Sequence, residues 1–157
     1  MFAETSKLVL ADDDETVRNL LTMHAERGGF AVSCGENGAE ALELVTEDTD
    51  VVLLDLQMPV LDGFGALERL GREHPGVPAI VLTSVDEAAE AVKAMKMGAL
   101  DYLTKPFDPE EMLAVLRNAK RLRRAELENE QLREALGGRG PAVQIVAESE
   151  AMKEVVG

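Results

Sequence analysis

Residues 51–63 read VVLLDLQMPVLDG, and their order decides the fold. Four consecutive aliphatic residues, Val51 to Leu54, suit a strand buried on both faces, as a central strand of a parallel sheet must be. An acid follows at Asp55, and Pro59, Asp62 and Gly63 then punctuate a turn that opens a helix. The same unit recurs along the chain. Further strands are expected at Lys7–Ala11, Phe30–Cys34, Ala79–Thr83 and Leu100–Leu103, beside Val51–Leu54 itself. Amphipathic stretches between them predict helices at Glu15–Arg27, Gly38–Glu47, Gly63–Glu73, Asp86–Met97 and from Pro109 onward, several closed by Gly28, Gly76 or Gly98. Five strand–helix units with right-handed crossovers close most simply into a doubly wound α/β sheet of order 2-1-3-4-5. Its direction of growth reverses between strands 1 and 3.

After Phe107 the pattern changes. Pro109 to Leu136 reads as one helix of about 28 residues, roughly 42 Å long, which exceeds what covering a sheet requires. Leu122, Asn129 and Leu136 are seven apart, with Ala125 and Leu132 at the complementary spacing, so the helix carries a short two-stranded coiled-coil seam. Gly137, Gly138, Gly140 and Pro141 then end it in a joint. The organisation expected is a core over 1–107, a dimerising linker helix over 108–136, and a separate segment over 137–157 that opens with a flexible linker.

The chain has 157 residues and a net charge of −14. Residues 1–107 hold 20 acids and 8 bases and the remainder 10 and 8, so the two parts differ in kind. This balance argues against nucleic-acid binding by the segment, which would need Lys and Arg to neutralise phosphates. No run of 18 apolar residues and no secretory signal pattern are present, so a cytoplasmic chain without membrane contact is expected. The single cysteine, Cys34, reads as a small buried or edge residue. His24 stands without a second ligand residue and reads as an ordinary helix position.

The chemistry concentrates where strands end. Asp12, Asp13 and Asp14 follow the first strand and Asp55 the third, and the proposed order brings them into the crevice at the carboxyl ends of neighbouring strands. Asp14 suits the cap of the first helix. The other acids would repel one another unless a cation neutralised them, and an all-oxygen set without His or Cys suits a hard ion such as Mg²⁺. Thr83 ends the fourth strand and Lys105 follows the fifth, adding a hydroxyl and an ammonium. Such groups would favour the charge of a phosphoryl group transferred to an aspartate.

The stretches LVLADDDETVR, VVLLDLQMPVLDGFGAL, IVLTS and DYLTKPF, in this order, resemble the receiver domains of bacterial response regulators over residues 7 to about 120. The resemblance implies a flavodoxin-like sheet and a phosphoacceptor supplied by a sensor histidine kinase, with only self-directed phosphotransfer and slow dephosphorylation. It implies that Asp12 and Asp13 hold Mg²⁺, that Asp55 is phosphoacceptor and ligand, and that the Gln57 backbone carbonyl adds an oxygen. Thr83 and Tyr102 would be a switch pair, and Lys105, before Pro106 in a cis bond, would grip the phosphate. Homodimers are expected through the seam of the linker helix, with the face of helix 4, strand 5 and helix 5 contributing.

Residues 145–156, IVAESEAMKEVV, resemble the entry into the ATPase domain of sigma-54-dependent transcription activators, with Ala147 where that family has glycine. No G-x-x-x-x-G-K-[ST] phosphate loop occurs in the chain. Phosphatases of the haloacid dehalogenase class share the aspartate, Mg²⁺, hydroxyl and lysine, but need a second acid two residues after the nucleophile. Gln57 stands there, and an amide cannot act as a general acid.

Overall fold

A computed structural model describes residues 5–135 of the chain. Five parallel strands, β1 (Ser6–Ala11), β2 (Phe30–Gly35), β3 (Val51–Asp55), β4 (Ala79–Ser84) and β5 (Asp101–Lys105), form one sheet in the order β2-β1-β3-β4-β5. They alternate with α1 (Glu15–Arg27), α2 (Gly38–Leu44), α3 (Gly63–Glu73), α4 (Ala88–Lys96) and α5 (Pro109–Ala135). This is the doubly wound, flavodoxin-like fold that the strand pattern predicts.

Alternation along each strand separates two cores. Val9, Ala11, Val52, Leu54, Ala79 and Val81 point to one face, where they meet Ala41 and Leu42 of α2, Ala66, Leu67 and Leu70 of α3, and Ala94 of α4. Leu8, Leu10, Val51, Leu53, Ile80 and Leu82 point to the other, against Leu21 and Ala25 of α1 and Met112, Leu116 and Ala119 of α5. Both faces are covered, which is why these strands are aliphatic throughout. Burying side chains such as Leu116 contributes about 1.5–3 kcal/mol each.

Several ends differ from the expected ones. β5 runs from Asp101 to Lys105, later than Leu100–Leu103, because pairing with β4 continues through Thr83↔Thr104 to Ser84↔Lys105 and hydrogen bonding ignores side-chain polarity there. Asp55 and Lys105 thus belong to their strands. α2 stops at Leu44, three residues before Glu47: Val45 is extended and buried, and the Thr49 hydroxyl accepts from the Thr46 N–H at 2.9 Å, a local turn that competes with helix. α4 begins at Ala88, two residues after Asp86, since a turn closed by Glu87 N–H on the Ser84 carbonyl at 3.0 Å precedes it.

The chain divides into two compact units, one through Arg123 and one from Arg124 onward. In the first, Met112, Leu116, Ala119 and Arg123 are the buried positions of α5, and Leu122 is exposed. In the second, Ala125, Asn129 and Leu132 of the expected seam are exposed. Leu136, the glycine joint and the stretch 145–156 lie outside the described residues. Cys34 is exposed on the edge strand β2, its Sγ 3.2 Å from the Thr22 hydroxyl. His24 lies in α1, edge-on to Phe107 with ring centroids 6.3 Å apart. No described helix is long and apolar enough to cross a membrane.

Candidate functional site

Strand register builds the site. Ala11 pairs with Leu54, so the residues that follow, Asp12 and Asp55, emerge side by side at the carboxyl edge of β1 and β3. Asp55 pairs in turn with Leu82, and Lys105 with Ser84, which brings Thr83 and Lys105 to the same edge. Asp12 and Asp55 are buried, while Asp13 is exposed. One oxygen from each of the three carboxylates lies within 4.8 Å of the others. Asp14 is spent locally: its carboxylate caps α1, accepting from the N–H groups of Thr16 and Val17 at 2.9 and 3.4 Å.

Lys105 Nζ lies 3.1 Å from Asp12 Oδ2 and 3.4 Å from Asp55 Oδ1, so one ammonium serves two buried carboxylates. Burial, and next the neighbouring charge of Asp12, push the Asp55 carboxyl up to about 6, against the opposing pull of Lys105 and of the Gln57 N–H that donates to Asp55 Oδ1 at 3.3 Å. For Lys105 burial works against the charge, but Asp55 and Asp12 outweigh it and hold the ammonium above its ordinary range. Asp12 Oδ2 is fully buried and takes no well-aligned hydrogen bond, the Lys105 charge being its only close partner among the described residues. An under-satisfied buried carboxylate oxygen in an all-oxygen cluster fits a hard divalent cation.

The turn after β3 holds the rim in shape. Gly63 N–H donates to the Leu56 carbonyl at 3.2 Å, and a Cβ on Gly63 would stand 2.6 Å from the Asp55 carbonyl oxygen, so no other residue fits without moving the strand end. Val60 has φ 68° and sits in a three-residue turn closed by Leu61 N–H on the Pro59 carbonyl at 2.7 Å. The Lys105–Pro106 peptide bond is cis, as expected.

Not every expected group converges. The Thr83 hydroxyl is turned toward the start of α4, donating at long range to the carbonyls of Glu87 (3.4 Å) and Ser84 (3.5 Å). Tyr102 lies on β5 opposite Val81 with 45% of its surface exposed. Two contacts escaped the sequence reading. Arg18 of α1 donates from Nη1 to the Asp12 carbonyl at 2.8 Å, foreshadowed only by a spacing that places it one turn beyond the Asp14 cap. Gln57 Nε2 donates to Glu90 Oε1 at 2.8 Å across 33 positions, which no local pattern signals.

This edge, with its three acids and shared lysine, agrees with comparison to known families. The response regulator receiver domain model matches residues 8–117. The chain belongs to the response regulator receiver family. It is a receiver domain of the kind found in two-component transcription regulators. It is 33% identical over 151 residues to the regulatory protein AtoC of Escherichia coli K12, covering 96% of this chain and 33% of that protein. It is 35% identical over 147 residues to the DNA-binding transcriptional regulator NtrC of the same organism, covering 93% and 30%. The chain therefore spans about a third of the length of these curated relatives. Among solved structures, a receiver domain protein from Clostridium thermocellum superposes with a TM-score of 0.71 at 30% identity, covering 78% of this chain and 98% of that one.

Proposed function

We propose that this receiver domain takes a phosphoryl group on Asp55 from a sensor histidine kinase, with Mg²⁺ held by Asp12, Asp13, Asp55 and the Gln57 backbone carbonyl. The observation that carries the reading is the sharing of Lys105 between Asp12 and Asp55 at adjoining strand ends. An Asp55 carboxylate oxygen attacks the phosphorus of the phosphohistidine, the P–N bond breaks, and its electron pair leaves with the imidazole. The bound metal supplies neutralisation of charge on the carboxylates and the transferred group. Lys105 meets the new phosphoryl oxygens as a fixed positive charge. Thr83, whose present hydrogen bonds are long, turns to donate to them, and Tyr102 moves inward into the space this opens.

In this reading the consequence is a change in association. The face of α4, β5 and α5 and the seam of Leu122, Ala125, Asn129, Leu132 and Leu136 pair two chains, and the switch sets how firmly. The core over 1–107, the linker helix over 108–136 and the segment 137–157 would stand ahead of a transcription-activating ATPase domain, in a cytoplasmic regulator whose DNA contacts lie elsewhere. Similarity to NtrC and AtoC over almost this whole chain supports that arrangement. The domain itself turns over no external substrate beyond its own phosphorylation and slow dephosphorylation. The test is intact-mass measurement after exposure to acetyl phosphate with Mg²⁺. One phosphoryl group is expected on the wild type and none on Asp55→Asn or in excess chelator; labelling of that variant would refute the assignment.

A further inference from the structure

Helix α4 is anchored differently from its neighbours. Its buried positions are Ala91 and Ala94, whereas α3 buries Ala66, Leu67 and Leu70, and α5 buries Met112 and Leu116. Stabilisation by burial scales with apolar area, so two alanines hold α4 weakly and its polar links weigh more. The two hydrogen bonds at Glu87, donated by the Thr83 hydroxyl to its carbonyl and by the Ser84 N–H to its Oε1, are both long at 3.4 Å, and the helix start has no side-chain cap. The Gln57–Glu90 bond, at 2.8 Å, is short by comparison and joins the first turn of α4 to the residue two beyond Asp55. One turn further, the Lys93 ammonium sits 4.3 Å over the Phe64 ring of α3. A carboxylate only accepts, so the amide NH₂ of Gln57 must face Glu90. The Gln57 backbone N–H meanwhile donates to Asp55 Oδ1. One residue thus touches both the acceptor carboxylate and α4.

We propose that Glu90 is a positioning residue that holds α4 through the Gln57 amide in the unmodified domain and releases it when Asp55 carries a phosphoryl group. This rests on the reading of Asp55 given above. A phosphoryl group brings about two negative charges and three strong acceptor oxygens to the neighbourhood of Gln57. An amide drawn to those oxygens leaves Glu90 as an unpaired anion beside new negative charge, and the like charges move apart. The same event draws away the Thr83 hydroxyl, so two of the three side-chain links to the start of α4, those from Gln57 and Thr83, are lost together. The pairing of residues 57 and 90 thereby sets how much phosphorylation must overcome before α4 moves.

The experiment titrates the full chain with beryllium fluoride, a phosphoryl mimic, in saturating Mg²⁺, following hydrogen exchange over residues 88–96. A hydrogen bond present only in the unmodified state contributes about 1 kcal/mol, so Glu90→Ala should lower the half-saturating concentration by roughly three- to tenfold. Glu90→Gln keeps an acceptor without the charge and should fall between wild type and Glu90→Ala. In a Gln57→Ala background, which retains the backbone carbonyl, the Glu90→Ala effect should vanish. If the shift persists in that background, Glu90 acts as a general charge and the proposal fails; an unchanged Glu90→Ala titration overturns it equally. A wild type that ignores beryllium fluoride would overturn the phosphoacceptor reading instead.

Discussion

Lys105 Nζ stands 3.4 Å from Asp55 Oδ1, yet the Asp55 carboxyl still sits at about 6, so its lysine partner does not compensate for burial and the charge of Asp12. The sign of the consequence follows from linkage. A folded value raised above the ordinary 3.8 means that the native state binds the proton more tightly than the unfolded chain does. Asp55 therefore costs little below pH 4, and its penalty grows as pH rises through 6. In chelator, Asp55→Asn should be more stable than wild type at pH 7.5 by on the order of 2 kcal/mol, and the gap should close by pH 4. Denaturant melts at both pH values check this; a gap that does not change with pH would contradict it.

A divalent cation should reverse that order. Ligand binding to the native state alone stabilises it by about 2.7 kcal/mol at a hundredfold excess over Kd, and the three carboxylates within 4.8 Å provide the binding energy. Wild type should gain melting temperature on adding Mg²⁺, while Asp12→Asn and Asp55→Asn should each lose most of the gain. Asp13→Asn should lose less, because its exposed carboxylate is screened by water. Scanning calorimetry with and without Mg²⁺ decides it, and equal gains in all four proteins would remove the metal from this site.

Thr83→Ala should uncouple modification from response. The hydroxyl does not touch Asp55 in this structure, so phosphorylation should persist, slowed by no more than about tenfold. What should go is the change in hydrogen exchange over α4 and β5, since the group that moves toward the phosphoryl oxygens is missing. Wild type and variant responding alike would exclude the switch.

How much of this was legible depends on whether the signal is local. The strand core Val51–Leu54 and the cap at Asp14 were readable because period and capping chemistry act within a few residues. Asp12, Asp55 and Lys105 could be placed together because a parallel sheet fixes which strand ends adjoin. The Gln57–Glu90 bond was not readable, since it depends on how α4 lies, and alanines at 91 and 94 say little about that. Thr83 was placed at the correct edge, but its rotamer was not, because a hydroxyl with several carbonyls in reach is chosen by packing. The end of α2 was missed for a similar reason, as Thr46 and Thr49 close a turn that helical periodicity cannot reveal.

Val60 offers a stability test away from the acids. A β-branched residue at φ 68° costs about 1–3 kcal/mol, and with 84% of its surface exposed Val60 loses little packing if replaced. Val60→Gly should stabilise the domain by about 1 kcal/mol, the relief being offset partly by greater freedom in the unfolded chain. Denaturant midpoints read it, and destabilisation would mean that the side chain contributes packing the structure does not show.

The last prediction concerns α5. Met112 and Leu116 belong to the buried core, so a truncation that tests the linker helix must end after Arg123 and keep them. The seam residues beyond that point, Ala125, Asn129 and Leu132, are exposed in the single chain, and Leu132 is 61% exposed. Exposure of a large apolar residue at heptad spacing from Ala125 suits burial against a second copy, and Asn129 on the same seam would fix register at some cost in stability. Burying one leucine contributes about 1.5–3 kcal/mol, and a two-chain coil loses two in Leu132→Asp. That variant should weaken dimerisation by at least tenfold, a chain ending at Arg123 should weaken it as much or more, and Asn129→Val should strengthen pairing while admitting other oligomers. Sedimentation equilibrium of the four proteins separates these outcomes. If all four share one monomer–dimer constant, the helix beyond Arg123 is a solvated spacer and the chains pair, if at all, through the receiver face alone.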